Sequence, residues 1–227
     1  MTSLLTHPPI NLSADEKLYQ SFLLSVELAT KALTVQVTED ALHQLKQNQY
    51  SLCFAKKVGD TFNVVWSSSN KYLSTNQFSW QPQYQLFGTN TFNTTITVKA
   101  TTNTVAIGLG ETSVLDADGI LESPKTGGPS TSITMNNEFG SIHPGVNQLS
   151  TGIDGAQVSS AIYVAENAVL PGTVSLTPKE SVLVWFQQNI VTGTMFSDAR
   201  INSYEVDMTF ADTKTIQFDG TSWSLQG

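Results

Sequence analysis

The sequence has few charged residues, and most of the charges that it has are negative. Lys and Arg together number 11 against 19 Asp and Glu, the net charge is -8, and Arg200 is the single arginine in 227 residues. A surface that binds nucleic-acid phosphates needs a cluster or stripe of basic side chains, which so few cations cannot form. Nucleic acid is therefore excluded as a partner, and an anionic lipid surface is disfavoured for the same reason.

Cysteine and long apolar runs are also scarce. Cys53 is the single cysteine, and its apolar neighbours in Leu-Cys-Phe-Ala predict a buried, unreactive thiol. No run approaches the roughly 18 apolar residues of a transmembrane helix, so we expect none. The first residues lack the basic segment and the apolar stretch of a secretory signal, which predicts a cytoplasmic protein or one released without a classical signal peptide.

The motifs of common enzymes are absent. There is no nucleophile elbow, phosphate-binding loop or zinc-protease motif, and Gly108-Leu-Gly110 lacks the third glycine of a dinucleotide-binding fingerprint. The histidines His7, His43 and His143 show no metal-ligand spacing. We therefore expect neither a cofactor nor a metal ion.

Uncharged polar side chains are abundant instead, and many alternate with apolar ones. Ser and Thr number 52, Asn and Gln number 29, and 40% of the residues are hydrophobic, which is enough to form a core. Such alternation is typical of strands with one buried face. We predict an all-β protein, a single-domain two-sheet β-sandwich of about ten or more strands over residues 14 to 227, after a flexible arm over residues 1 to 13. Residues 14 to 22 are compatible with either a helix or a strand.

One short helix is predicted near residues 38 to 49. Thr38 can cap it, and the two acidic residues that follow suit the positive end of the helix dipole. Ala41, Leu42 and Leu45 form an apolar stripe along it.

Several strands follow from the alternation. Residues 51 to 58 and 61 to 66 are predicted to form a hairpin, with Gly59 supplying the positive φ of its turn. Residues 77 to 87 form a further strand. Pro82 places that strand at a sheet edge or at a β-bulge, because proline cannot donate a ladder hydrogen bond.

The Thr-rich segment over residues 91 to 109 has the cleanest alternation. Ile96 and Val98, and after a break Val105 and Ile107, share one face of the predicted strand or strands. Pore-forming proteins insert strands of this kind into membranes, because lipid requires aliphatic side chains while a lumen accepts hydroxyls. The alternative is an ordinary half-buried strand of the sandwich.

Two aromatic clusters are candidates for ligand binding. Trp80 lies beside Gln81 and near Tyr84, and Trp223 lies between two serines, so their neighbours suit the hydroxyl groups of a sugar. The other two tryptophans lie in apolar runs and are predicted to be buried. We take Trp80, Gln81, Tyr84 and Trp223 as candidate ligand-binding residues.

His143 is a further candidate for ligand binding, or alternatively for catalysis. It lies in a stretch over residues 116 to 155 that is rich in Gly, Ser and Pro and is predicted to be a long loop region. Glu138 and Asp154 are close in sequence, and a carboxylate could orient the imidazole as a general base. A structural turn is the alternative.

Acidic residues offer no clear catalytic pair. Asp198, Glu205 and Asp207 surround Arg200 in the sequence, and the simplest interpretation is a salt bridge between the arginine and one of them. Asp116-Ala-Asp-Gly begins like a calcium loop but lacks the later ligands at the required positions, so we expect a turn there.

Together these features favour a non-enzymatic recognition protein, lectin-like or cytolysin-like, that binds neutral, hydroxyl-rich ligands at a cell surface. Amide and hydroxyl side chains can donate and accept hydrogen bonds without the desolvation cost of a full charge. Glycans or cell-surface lipids are the expected partners, and a homo-oligomer is compatible with the pattern. One alternative is a self-assembling structural or storage protein, since several edge strands are expected. Another is a hydrolase that uses His143 with a carboxylate.

Overall fold

The computed structural model describes residues 30 to 227, and strands account for most of its regular structure. The predicted arm over residues 1 to 13 and the ambiguous segment over residues 14 to 22 lie outside the described residues. The described elements are, in chain order, β1 (Lys31–Val37), α1 (Glu39–Gln47), β2 (Ser51–Val58), β3 (Ser67–Ser69), β4 (Thr75–Thr89), β5 (Val105–Ile107), β6 (Glu111–Leu115), β7 (Lys125–Thr126), β8 (Ile133–Asn137), β9 (His143–Thr151), β10 (Gln157–Val164), β11 (Gly172–Leu176), β12 (Pro178–Gln187), β13 (Tyr204–Asp207), β14 (Thr213–Phe218) and β15 (Trp223–Gln226). The all-β class and the short helix are thereby confirmed.

The described strands form three hydrogen-bonded sheets. The first has the order β10-β9-β4-β1-β14-β15, with β5 also paired to β4. The second has the order β13-β12-β2-β3, and the third has the order β11-β8-β6-β7. Neighbouring strands are antiparallel except for β1 with β14 and β6 with β8. The first and second sheets face each other as the layers of a sandwich do, and the third sheet packs against the same core.

Aromatic side chains fill the space between the first two sheets. Phe54 of β2 stacks on Phe78 of β4 with ring centroids 4.3 Å apart, and Trp66 meets the same Phe78 edge-on at 4.9 Å. Phe186 of β12 meets Phe218 of β14 at 5.2 Å. Each large side chain buried in this way stabilises the fold by about 1.5 to 3 kcal/mol. The predicted burial of Trp66 is confirmed.

A smaller cluster covers the opposite face of the second sheet. It contains Cys53, Trp185 and Phe196, and the last two rings meet edge-on at 5.8 Å. Burial raises the pKa of the Cys53 thiol to about 12, which leaves it in the unreactive protonated form. The predicted burial of Cys53 and of Trp185 is confirmed.

Helix α1 follows the sequence pattern closely. Thr38 occupies the N-cap position with extended backbone, although its side chain makes no capping hydrogen bond. Ala41 and Leu45 are buried against the core, and the helix stops before Gln49, whose φ is 56°. No helix within residues 30 to 227 has the length and hydropathy that crossing a membrane requires.

Strand β4 shows how the chain accommodates Pro82. This strand lies inside the first sheet, paired with β1 on one side and β9 on the other, so the edge-strand prediction was wrong. The alternative prediction of a β-bulge is confirmed, because the register with β9 shifts between Trp80 and Tyr84. Within the bulge the amide of Gln148 donates to the Gln81 carbonyl at 2.9 Å, which replaces a lost ladder bond.

The predicted hairpin over residues 51 to 66 is correct in its first half only. Strand β2 and the turn at Gly59, with φ 59°, lie where expected. Residues 61 to 66 form only isolated bridges. Thr61 and Trp66 hydrogen-bond to Val58 and Phe54 of β2, but the residues between them bond to other parts of the chain. The Asn63 amide donates to the Val164 carbonyl at 2.6 Å, and the Val65 amide donates to the Thr194 carbonyl at 2.9 Å.

The strand predicted over residues 94 to 109 is wrong except at β5. Thr95 has φ 78°, which no β-strand allows, and the amide of Val98 donates to the Gly193 carbonyl outside any sheet. Ile96 is 43% exposed, whereas Ile107 of β5 is buried. Val105 pairs with Leu86 of β4 in the only part that forms a ladder. The alternation that suggested a membrane-inserting strand therefore does not correspond to a strand here.

The long loop region predicted over residues 116 to 155 is interrupted by strands β7, β8 and β9. Strand β9 runs between β4 and β10 inside the first sheet. Strand β9 requires glycine at position 145, because a Cβ there would lie 2.2 Å from the ring of Phe87. The glycine that suggested a loop instead permits close packing. Residues 116 to 119 form the expected turn, in which Asp116 accepts from backbone amides.

Candidate functional site

The structure places the first candidate binding residues in the core. Trp80 is 2% exposed and Tyr84 is 4% exposed, so neither ring offers a face to a sugar. Trp80 and Tyr84 were predicted as ligand-binding residues, but the second sheet covers β4 on this side and buries both rings. Gln81 is half-buried at the bulge, and its side chain lies 3.4 Å from the hydroxyl of Thr30.

Trp80 contacts an ion pair of the second sheet, in which Lys56 is buried and Glu180 is partly exposed. The Lys56 ammonium donates to Glu180 Oε2 at 2.7 Å, and Trp80 Nε1 donates to the same oxygen at 2.9 Å. Lys56 has no exposed surface and lies 4.9 Å from the centroid of the Trp80 ring. Burial lowers the pKa of Lys56 to about 8, and the Glu180 carboxylate opposes that effect. Burial and the same carboxylate raise the pKa of Tyr84.

His143 begins strand β9 and interacts with the backbone. Its Nδ1 lies 2.7 Å from the carbonyl oxygen of Ala165, so the imidazole donates a hydrogen bond there. Asp154 accepts from the amide of Ala156 in the turn after β9, and Glu138 lies beside the Asn136 amide. Within residues 30 to 227 no carboxylate makes a hydrogen bond or ion pair with His143, so the predicted base and orienting acid are not brought together.

Trp223 packs against aromatic rings at the edge of the two main sheets. Its ring stacks on Phe186 at 5.7 Å with an interplanar angle of 9°, and it also packs against Phe218 and Tyr204 at 4.8 and 6.4 Å. Its Nε1 donates to the Asn202 carbonyl at 2.8 Å. The ring therefore supports the loop that contains Asn202. Its stacking face and its N–H group are already engaged by other residues.

Beside these rings lies a cleft of about 750 Å³. It is formed where α1, the end of β12, residues 199 to 202 and the end of β14 meet. This volume is in the range of pockets that hold small ligands. Six of the sixteen lining residues are amides: Gln44, Asn48, Gln187, Gln188, Asn189 and Asn202. We call this site the amide cleft.

Several polar groups of the amide cleft have no partner among the described residues. The side-chain amides of Gln44, Asn189 and Asn202 are exposed and make no hydrogen bond within residues 30 to 227, and neither does the hydroxyl of Tyr50. These groups lie beside the apolar walls provided by rings such as Phe186. A combination of apolar walls and a few unengaged polar groups is typical of binding sites.

The remaining amides hold the walls of the cleft together. Gln188 donates to the backbone carbonyl of Asn48, which ties the end of β12 to the end of α1. The Asn48 amide donates to the Gln44 carbonyl at 2.8 Å. Asn189 and Asn202 both adopt left-handed backbone, with φ of 53° and 51°. Asparagine tolerates this conformation better than other residues with a side chain, and such positions occur often at functional sites.

Arg200 lines the amide cleft, and the salt bridge predicted for it is wrong. Its guanidinium carbon lies 4.2 Å from the centroid of Phe196, and NH1 donates weakly to Gln187 Oε1 at 3.4 Å. Among the described residues no carboxylate lies within ion-pair distance of it. Glu205 binds Lys57 instead, at 2.9 Å.

The other two acidic neighbours of Arg200 also leave it unpaired. Asp207 accepts from the amide of Thr209 at 2.8 Å, and Asp198 contributes only a longer-range electrostatic effect. Burial lowers the pKa of Arg200 from its ordinary value, and Asp198 opposes that effect. Arginine nevertheless stays protonated at neutral pH.

The described residues that line the amide cleft are mostly amide and apolar. None of the sixteen is Asp, Glu, His, Lys, Cys or Ser, and Tyr50 and Arg200 are the titratable side chains among them. The described residues also contain no group of three or more His, Cys, Asp or Glu side chains placed to hold a metal ion. Comparison with protein-family models, with curated proteins and with solved structures gives no match.

Sequence reasoning identified one residue beside the amide cleft, Trp223, and missed its lining. The amides come from segments far apart in the chain, around residues 44 to 50, 185 to 189 and 199 to 202. The usable signal was the single Arg200 within a loop free of other basic residues. Its significance depends on the absence of a partner, which only the folded structure shows.

Proposed function

We propose that the protein is a non-enzymatic recognition protein of lectin-like type that binds a hydroxyl-rich saccharide in the amide cleft. The observation that carries the proposal is the convergence of unpartnered amides from Gln44, Asn189 and Asn202 on one cleft with aromatic walls. Sugar hydroxyls both donate and accept, and an amide side chain offers the complementary acceptor and donor.

The geometry of the site supports a rigid, preorganised receptor. Trp223 holds the Asn202 carbonyl, and the Ser203 hydroxyl donates to the Arg200 carbonyl at 2.8 Å, so the loop over residues 200 to 203 is fixed at two points. A fixed loop loses little conformational entropy when a ligand binds. This arrangement favours recognition of one ligand class over loose adsorption.

A glycan array with the purified protein tests the proposal. The informative variant is Q44A/N202G, which removes two unpartnered amides. Alanine is favourable within the helix, and glycine adopts the φ of 51° at Asn202 without strain, so the fold is retained. The matched control is Q47A, which removes an exposed amide of the same helix outside the cleft.

We expect binding of the wild-type protein to a subset of glycans. Each lost hydrogen bond costs about 1 kcal/mol, so affinity should fall by about tenfold or more in Q44A/N202G. Affinity should be unchanged in Q47A. The proposal would be contradicted if the wild-type protein bound no glycan on the array, or if Q44A/N202G bound as tightly as the wild-type protein.

A further inference from the structure

We infer that the saccharide bound in the amide cleft is acidic, and that Arg200 binds its carboxylate. This inference rests on the proposed saccharide-binding function and names the chemical class of the ligand. It starts from the charge of the cleft. Arg200 is the single ionised side chain among the sixteen lining residues, in a chain whose net charge is -8.

The guanidinium of Arg200 is held in place but its donors are mostly unused. The Phe196 ring packs against it, with the ring centroid 4.2 Å from the guanidinium carbon. A guanidinium carries five N–H donors, and within residues 30 to 227 only NH1 is engaged, in a long bond of 3.4 Å to Gln187. Its Nε is buried and has no partner there. The terminal N–H groups without a partner in residues 30 to 227 are the donors available to a carboxylate in the cleft, and hydrogen bonds to charged groups are the stronger kind.

Among the lysines of residues 30 to 227, several pair with carboxylates, whereas others such as Lys71 and Lys99 do not. Lys31, Lys56, Lys57 and Lys179 each lie within ion-pair distance of a carboxylate. Within residues 30 to 227, no carboxylate lies within ion-pair distance of Arg200, although Asp198 is only two residues away. Within the described residues, the fold therefore leaves the charge of Arg200 without a carboxylate partner at the edge of a ligand-sized cleft.

The chemistry of the cleft favours a carboxylate over a phosphate. One planar guanidinium matches one carboxylate through two parallel hydrogen bonds, and a single positive charge balances a single negative one. A phosphate monoester at neutral pH would leave excess negative charge, because the sixteen described lining residues contain no second cation. The neighbouring amides meanwhile remain available for hydroxyl groups. A sugar acid, such as a uronic or sialic acid residue, presents both a carboxylate and hydroxyl groups.

The test compares acidic saccharides with their methyl esters, which have the same size and hydroxyl groups. Two pairs serve as probes, tetragalacturonate with its methyl ester and an N-acetylneuraminic acid glycoside with its methyl ester. Calorimetric titration is carried out on the wild-type protein, on R200Q and R200K, and on K71Q as a control that removes a positive charge from an exposed site. Melting temperatures verify that each variant is folded.

We expect at least one acid to bind the wild-type protein about tenfold to a hundredfold more tightly than its ester, because hydrogen bonds to charged groups are the stronger kind. R200Q should abolish the preference, R200K should retain part of it, and K71Q should leave it intact. If R200Q does not fold, the Nε–H resonance of the wild-type protein serves instead. The chain has one arginine, so this resonance is a single signal that should shift with the acid and not with the ester.

Equal affinity for acid and ester, a preference that survives in R200Q, or binding confined to neutral glycans would overturn the inference and leave saccharide binding standing. Failure of every glycan to bind would overturn the proposed function and the inference with it.

Discussion

The Lys56–Glu180 pair makes protein stability depend on pH in a direction that can be calculated. The pKa of Lys56 is about 8 in the folded protein against an ordinary value of 10.5. Between these two pH values the unfolded chain binds a proton that the folded protein does not, so the free energy of unfolding rises with pH. This difference between the two pKa values corresponds to a change of about 3 kcal/mol in the free energy of unfolding over the pH range between them. Lys56 is fully buried, so solvent does not screen this contribution.

Urea denaturation of the wild-type protein and of K56M/E180Q isolates this contribution. The double variant has no titratable group in the pair and retains a hydrogen-bond acceptor for Trp80. Cys53 and Tyr72, whose pKa values burial raises to about 12, lower stability at high pH in both proteins, and that effect cancels in the comparison.

We expect the stability of the wild-type protein to gain roughly 2 to 3 kcal/mol over that of K56M/E180Q between about pH 7 and about pH 10. Parallel pH profiles for the two proteins would show that Lys56 is solvated and would refute its burial.

Three further predictions concern packing and the loop of the amide cleft. W223F keeps the stacked ring but removes the donor to the Asn202 carbonyl, so it should cost about 1 kcal/mol in urea denaturation and speed hydrogen exchange in that loop; unchanged exchange would refute the anchoring role. G145A places a Cβ against the ring of Phe87 and should destabilise the protein by about 1 to 3 kcal/mol, with partial recovery in G145A/F87L; a loss within error would show that β9 is further from that ring. The thiol of Cys53 should react with a disulfide reagent at neutral pH only as fast as the protein opens, and rapid reaction of the native protein would contradict its burial.

The sequence was sufficient to predict elements in which local pattern and tertiary environment agree. Helix α1 has an acidic first turn and an apolar stripe, and β2 is an apolar run that lies buried between two strands. The burial of Trp66, Trp185 and Cys53 followed from apolar neighbours alone. In each case, short-range chemistry is enough to determine the outcome.

Prediction failed where long-range hydrogen bonding decides. Residues 94 to 104 alternate like a strand, yet Thr101 and Thr102 donate to the Gly88 carbonyl and the segment passes over β4 outside any sheet. Strand β9 contains Pro144 and Gly145, which have low strand propensity, but β4 and β10 pair with it on both sides. Local propensity cannot reveal a neighbour that is distant in the chain.

The candidate site was predictable in composition but not in position. An excess of Asn and Gln indicated a surface for hydroxyl groups, and amides do line the cleft. Trp80 was misplaced because polar neighbours along an alternating strand lie on its opposite face and do not reveal whether a second sheet covers the ring. The role of Arg200 depends on the partners that its acidic neighbours find elsewhere, such as Lys57 for Glu205.

The central claim is that the amide cleft is the ligand site, and a nitrogen-proton correlation spectrum recorded during titration with the tightest-binding saccharide tests it most directly. If ligand binds there, the shifts should concentrate on the side-chain amides of Gln44, Asn189 and Asn202 and on the Nε–H signal of Arg200, with the indole signal of buried Trp80 unchanged. Binding at the amide cleft would be contradicted if the signals of these four residues stayed unchanged while the shifts concentrated on another surface.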